Sequence, residues 1–180
     1  MTDNLKEMLP LVDEAGNITG AATRGECHGG SRLLHPVVHL HVFNSQGDIF
    51  LQKRPEWKDI QPGKWDTAVG GHVNLGENMD QALIREVKEE LNLEVRGFAD
   101  SLEEARDGQA YRLMSYLYDS VRERELVFVN IMIYDGDITP SEETDGGRFW
   151  TRQEIHDAIG QNILTPNLEM EYQRILPMLQ

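Results

Sequence analysis

A single cysteine, Cys27, is all the thiol this 180-residue chain has. One thiol excludes an internal disulfide and fits a reducing compartment, which points to the cytoplasm. Long apolar runs are missing as well. Val37-Val38-His39-Leu40 and Leu126-Val127-Phe128-Val129 have strand length, far short of the roughly 20 residues a membrane helix needs. The opening Met1-Thr2-Asp3-Asn4-Leu5-Lys6-Glu7 is polar with no apolar segment behind it, so no secretory signal is expected. Basic residues are scarce: 17 Lys and Arg against 31 Asp and Glu give a net charge of −14. So acidic a surface repels phosphate backbones and anionic lipid, which argues against nucleic acid and membranes as partners. A small anionic substrate would then need a local reversal of sign, from clustered Arg and Lys or from bound metal.

What is present suits one α/β domain spanning 1–180, since 39% of the residues are apolar and neither a repeat nor a low-complexity linker interrupts them. Short strands are expected at Leu9–Val12 and Ile18–Ala22, around the turn Glu14-Ala15-Gly16-Asn17. Val37–Phe43 and Ile49–Lys53 form a hairpin across Asn44-Ser45-Gln46-Gly47-Asp48. A Trp-, Lys-, Pro- and Gly-rich loop from Pro55 to Trp65 precedes a strand at Asp66–Val69. Further strands are expected at Leu93–Phe98, Arg112–Tyr118 and Leu126–Tyr134. Glu77–Leu91 reads as a helix, with Leu83, Ile84, Val87 and Leu91 on one stripe. Two helices close the chain. Thr151 and Glu154 make a capping box for the first, which Gly160 ends. Thr165-Pro166 opens the second, which buries Leu168, Tyr172, Ile175, Leu176 and Leu179. A mixed sheet with helices on both faces follows.

The most informative segment runs from Gly71 to Leu93. At 100° per residue, Glu86, Glu89 and Glu90 fall within about 100° of one another, beside the apolar stripe. Carboxylates so close raise one another's pKa, and a hard divalent cation such as magnesium or manganese resolves the repulsion. Arg85 can pair with Glu77 or a neighbouring carboxylate and hold the set in place. Acidic helix faces are usually only solvated surface, but here the spacing G-x5-E-x7-R-E-U-x-E-E-x-N-U, with U a bulky aliphatic, resembles the Nudix box. Asn92 stands where that box has Gly, and Asn is the usual substitute in a left-handed cap. The resemblance implies the Nudix fold, an α/β/α sandwich around a mixed β-sheet. It also implies metal-assisted attack of water on phosphorus in a small-molecule diphosphate substrate, a nucleoside diphosphate linked to another group. By position, Glu77, Arg85, Glu86, Glu89 and Glu90 would be the catalytic set, with Glu86, Glu89 and Glu90 binding Mg2+ or Mn2+.

From Leu11 to Trp150 the chain also resembles the type 1 isopentenyl-diphosphate isomerases, a branch of the same fold. The likeness rests on Cys27-His28-x6-His35, Arg54-x3-Lys58, Pro62-Gly63-x-Trp65, Gly71-His72 and Glu123-x-Glu125. It implies a second divalent metal held by His28, His35, His72, Glu123 and Glu125, a donor set that suits zinc or manganese. It implies also that Arg24, Arg54 and Lys58 bind the diphosphate. Scattered histidines and a solvated charge run are the plainer account of the same residues. Those isomerases carry a catalytic cysteine directly before the Gly-His pair, where this chain has Gly70. Without the thiol one half of the acid–base pair for moving a double bond is missing. The expectation is therefore an isomerase-like frame carrying a hydrolase's site, as in bacterial Nudix hydrolases of this hybrid kind. Trp57, Trp65 and Trp150 are candidates for stacking on a base, and a homodimer is compatible with the sequence.

Overall fold

The computed structural model describes residues 4–179; Met1, Thr2 and Asp3 of the polar opening run lie outside it, as does Gln180. Strand β3 (Leu34–Phe43), the most thoroughly buried segment, is the axis of a mixed seven-stranded sheet. It pairs in parallel with β8 (Arg124–Ile133) and antiparallel with β4 (Ile49–Lys53) and β6 (Val69–His72). Two short strands, β5 (Trp65–Thr67) and β9 (Gly147–Trp150), both add to β4, and β7 (Ala110–Asp119) closes the far edge against β8. The hairpin of β1 (Met8–Val12) and β2 (Ile18–Thr23) forms a separate two-stranded sheet.

Because side chains alternate along a strand, β3 serves two cores. Val38, Leu40 and Val42 pack with Leu83, Val87 and Leu91 of helix α2 (Met79–Leu91). Val37 and Phe43 pack with Ile155, Leu168, Tyr172 and Ile175, from α3 (Arg152–Ala158) and α4 (Pro166–Ile175) on the other face. Each such side chain contributes roughly 1.5–3 kcal/mol on burial. Helices therefore cover both faces, as expected. Ile84 leaves the expected stripe and stands 41% exposed, since it lies about 100° from Leu83 and rotates past the sheet.

The caps follow the sequence closely. Asn92 ends α2 with φ 55 in the left-handed region, and Thr151 with Glu154 forms the box that opens α3. Gly160 follows α3 with φ 76, and the Thr165 hydroxyl accepts from the Leu168 amide to start α4. Leu176 and Leu179 sit beyond α4 in a 3-10 turn and are only partly buried.

Several boundaries differ. Helix α2 starts at Met79 rather than Glu77, because Asn78 takes the cap and reciprocates with Gln81. Residues 93–98 form no strand, only a bridge from Phe98 to Ala110. The strand expected at 66–69 is two strands that break at Ala68, where the chain changes partner from β4 to β3. Helix α1 (Arg24–His28), capped by Thr23 and Glu26, and β9 were not foreseen. No helix among the described residues is long and apolar enough to cross a membrane.

Candidate active site at strand β6

Strand β6 is the partition between two groups of polar side chains. Its alternation sends Gly70 and His72 toward the α4 face and Gly71 toward α2. A Cβ on Gly71 would lie 2.2–2.5 Å from the carboxylate of Glu86, so glycine alone lets the helix come this close. The backbone joins in as well. The Gly70 amide donates to Glu90 Oε2 at 3.2 Å, and Arg85 Nη2 donates to the His72 carbonyl at 2.9 Å.

On the α2 side, Arg85 organises the carboxylates. It grips Glu77 with two hydrogen bonds (2.6 and 3.0 Å) and reaches Glu86 at 2.7 Å and Glu89 at 3.2 Å. The bidentate grip holds Glu77 below the usual carboxylate range. Burial pushes Glu86 the other way, to about 7, against the opposing pull of Arg85. Glu90 is raised well above the ordinary value, by burial first and then by Glu86, although the Gly70 amide and Gln52 stabilise its charge. Glu89 is 56% exposed, so the three glutamates of the shared face are far from equivalent. Nor do they converge on one point, as their helical spacing suggested. Arg85 draws Glu86 and Glu89 to one side while Glu90 turns to Gly70.

On the α4 side, His28 from α1, His35 from β3, His72 from β6 and Glu125 from β8 bring one ligand atom each to within 4.8 Å of all the others. The His28 and His72 Nε2 atoms stand 2.9 Å apart. His35 is fully buried; its Nδ1 donates to the Leu33 carbonyl at 3.0 Å, and its Nε2, which makes no hydrogen bond among the described residues, stands 3.7 Å from Glu125 Oε1. That arrangement, with one ring nitrogen fixed by a carbonyl and the other turned toward the group, is how metal-ligating histidines are oriented. Burial, then Arg24 and the neighbouring rings, hold His72 well below its ordinary pKa and keep its lone pair available. Glu123 lies just before β8 rather than on it and touches His28 at 3.3 Å, outside the set of four.

A family profile describing the NUDIX domain matches residues 33–168. The chain belongs to the Nudix family. It is 30% identical over 145 residues to an isopentenyl-diphosphate Delta-isomerase of Kocuria rhizophila, covering 81% of this chain and 77% of that one. It is 36% identical over 94 residues to an uncharacterized Nudix hydrolase of Yersinia pestis, a match over 52% of this chain and 51% of the other. The chain thus spans about half the length of that second relative. A crystal structure from Deinococcus radiodurans shares the fold with a TM-score of 0.73 at 23% identity, over 93% of this chain and 98% of that one. The family match and these relatives place the chain among the Nudix enzymes, with a mixed α/β sheet fold.

Within this Nudix enzyme the remaining expected residues scatter. Arg24 sits beside the histidines and pairs with Glu7 at 3.5 Å. Arg54 is tied to its own loop, donating to the Ile60 carbonyl at 3.0 Å and to Asp66 at 3.3 Å. Lys58 lies 4.9 Å above the Trp57 ring. Trp57 is 56% exposed, whereas Trp65 and Trp150 meet edge-on at 5.1 Å and pack into the α4-side core. Cys27 is buried, and burial with Glu26 and Glu123 pushes its thiol up to about 11, which makes it inert.

One further cluster on this face carries no motif in the sequence: His39 and His41 of β3, Tyr116 of β7 and Glu171 of α4. The only signal was that residues 35, 39 and 41 share one strand face.

Gly71→Ala tests the partition. Its methyl group displaces only the end of a flexible side chain, so the fold should persist with a thermal midpoint within a few degrees of wild type. Hydrolysis should fall about tenfold or more as Glu86 is pushed from its place. Steady-state kinetics beside thermal denaturation measure both; an active Ala variant would show that Glu86 need not sit against β6.

Proposed function

We propose that this protein is a divalent-metal-dependent hydrolase, using magnesium or manganese, that cleaves the diphosphate linkage of a small molecule such as a nucleoside diphosphate joined to another group. The observation behind it is the pair Glu86 and Glu90, two buried carboxylates that both meet the glycines of β6, Glu86 packed against Gly71 and Glu90 on the Gly70 amide. Burying carboxylates with raised pKa values is costly, and such pairs concentrate at functional sites. Glu86, Glu89 and Glu90 would hold the ion, all oxygen donors as a hard cation requires. When bound, the ion polarises the phosphoryl oxygens.

The chain's own residues do the rest. Arg85 is committed to Glu77, Glu86 and Glu89, so it positions carboxylates rather than binding phosphate. One of the carboxylates takes the proton of the attacking water. Arg24, Arg54 and Lys58 supply the positive charge that an acidic protein needs to admit a diphosphate. The group of His28, His35, His72 and Glu125, with Glu123 beside it, would hold a second, borderline ion such as zinc or manganese; the Nε2 of buried His35, which makes no hydrogen bond among the described residues, fits that role. The domain is read as one unit, acting on a small molecule and not on nucleic acid, in a reducing compartment.

That second group also favours another reading, isomerisation of an isoprenoid diphosphate, as does the Kocuria relative. Gly70 argues against it, since it offers no acid or base where the resemblance calls for a thiol. Cys27, buried and raised, cannot replace it. Nucleotide sugars, nucleoside di- and triphosphates, dinucleotides and prenyl diphosphates, each incubated with magnesium, should include at least one that releases a phosphate-containing product. Isopentenyl diphosphate in deuterated water should keep an unlabelled carbon skeleton. Deuterium entering dimethylallyl diphosphate at a useful turnover would overturn the hydrolase assignment in favour of the isomerase.

A further inference from the structure

We infer that His39 is a substrate-contacting residue on the α4 side of strand β6, and that Glu171 positions it. The inference rests on the diphosphate reading of the same site. His39 lies directly opposite Gly70 in the β3–β6 register. A Cβ built on Gly70 would lie 3.5 Å from His39 Cδ2 and 3.6 Å from Nε2, so that edge of the ring lies against bare backbone. The Gly70 amide, in turn, holds Glu90. One residue therefore separates the His39 ring from a carboxylate of the metal helix.

The two nitrogens of His39 have different fates. Nδ1 donates to Glu171 Oε2 at 2.8 Å, while Nε2 makes no hydrogen bond among the described residues, and the side chain keeps 18% of its surface open. Glu171 is 1% exposed and also accepts from His41 Nε2, at 2.7 Å, and from the Tyr116 hydroxyl. A tie between α4 and the sheet needs no more than His41, which is wholly buried. His39 adds an open edge aimed at the active strand, with its ring orientation fixed from behind, as a carboxylate fixes a working histidine. Burial opposes a charge on this ring, but Glu171 outweighs it and pushes His39 up to about 9. A charged N–H donor across Gly70 from Glu90 suits a phosphoryl oxygen.

The side chains of Asn and Gln separate the two nitrogens. The Asn amide nitrogen stands near the place of Nδ1 and keeps the bond to Glu171; the Gln amide nitrogen stands near the place of Nε2 and keeps the outward donor. Binding of methylenediphosphonate, a diphosphate that cannot be hydrolysed, is measured by calorimetry with magnesium present. His39→Asn should weaken binding about tenfold or more, as loss of a charge-assisted hydrogen bond implies, and His39→Gln, which keeps a neutral donor in that place, should weaken it by a clearly smaller factor. Glu171→Gln should weaken it by a smaller factor and move the pH midpoint of the His39 ring resonance downward, which loss of packing alone would not do. In the wild type, the His39 ring resonances should shift when the bisphosphonate binds, which needs no variant to fold.

Equal binding by wild type and His39→Asn, loss confined to His39→Gln, or His39 resonances indifferent to the ligand would each overturn the inference while leaving the hydrolase reading standing. Wild-type protein that neither binds the bisphosphonate nor hydrolyses any diphosphate overturns both.

Discussion

Glu90→Gln is expected to lower kcat at least about 100-fold, the loss typical when one charge-stabilising group leaves a catalytic site, and to leave the protein as stable as before or more so. The carboxylate is held by the Gly70 amide at 3.2 Å and by Gln52 at 3.4 Å, contacts that a neutral amide can largely keep. Burial and Glu86 raise its pKa well above the ordinary value. A carboxyl group raised in the folded state binds its proton more tightly there than in the unfolded chain. It therefore favours folding at low pH and becomes a cost as pH climbs from its unfolded value through its folded one. Glu90→Gln removes that cost, so activity and stability should move in opposite directions. The checks are turnover with magnesium and thermal denaturation with chelator across that pH range. Turnover within threefold of wild type would sink the metal helix.

His35→Ala should abolish transition-metal binding at the second group. Protein purified without chelator should carry a transition metal by elemental analysis, and the variant should carry none. A ligand present at roughly a thousand times its dissociation constant adds about 4 kcal/mol to stability, so chelation should lower the wild-type thermal midpoint by roughly 10 °C. The variant should lie near that lowered value and ignore chelator. Wild-type protein that is metal-free and equally stable with chelator would make these histidines ordinary ones, sharing protons as His28 and His72 do across 2.9 Å.

The parts of this molecule that could be read from sequence are those whose cause is local. Helix α2 declared itself through Leu83, Val87 and Leu91 at helical spacing, and its end through Asn92, because caps and periodicity depend on neighbours in the chain. Arg85 and Glu77 were foreseen for the same reason, since they lie only eight positions apart, Glu77 just before α2 and Arg85 on it. Residues 93–98 show where that reasoning stops. They alternate like a strand, but their backbone hydrogen bonds reach Gly108 and Ala110, where β7 begins, rather than a strand alongside. Strand β9, only four residues long, exists because β4 had an open edge, which no local signal reports. Glu171 is the extreme case, reaching His39 and His41 from the far end of the chain. The His28, His35, His72 and Glu125 group was legible through its resemblance alone, and the loosely spread box carboxylates were drawn closer by helical arithmetic than Arg85 allows.

The parallel pairing of β3 with β8 has a kinetic side. It sets His35 opposite Glu125, across a gap of 90 positions (125 minus 35). Chain closure over such a distance costs entropy before any contact repays it, so pairings of this kind form slowly and late in folding. The α2 face is short-range by comparison, with Gly71 only 15 positions (86 minus 71) from Glu86. The groups on the two sides of β6 are thus expected to form at different times. A metal that needs His35 and Glu125 together finds its site only in the finished molecule, and there it slows the chain's departure from the native state rather than its arrival.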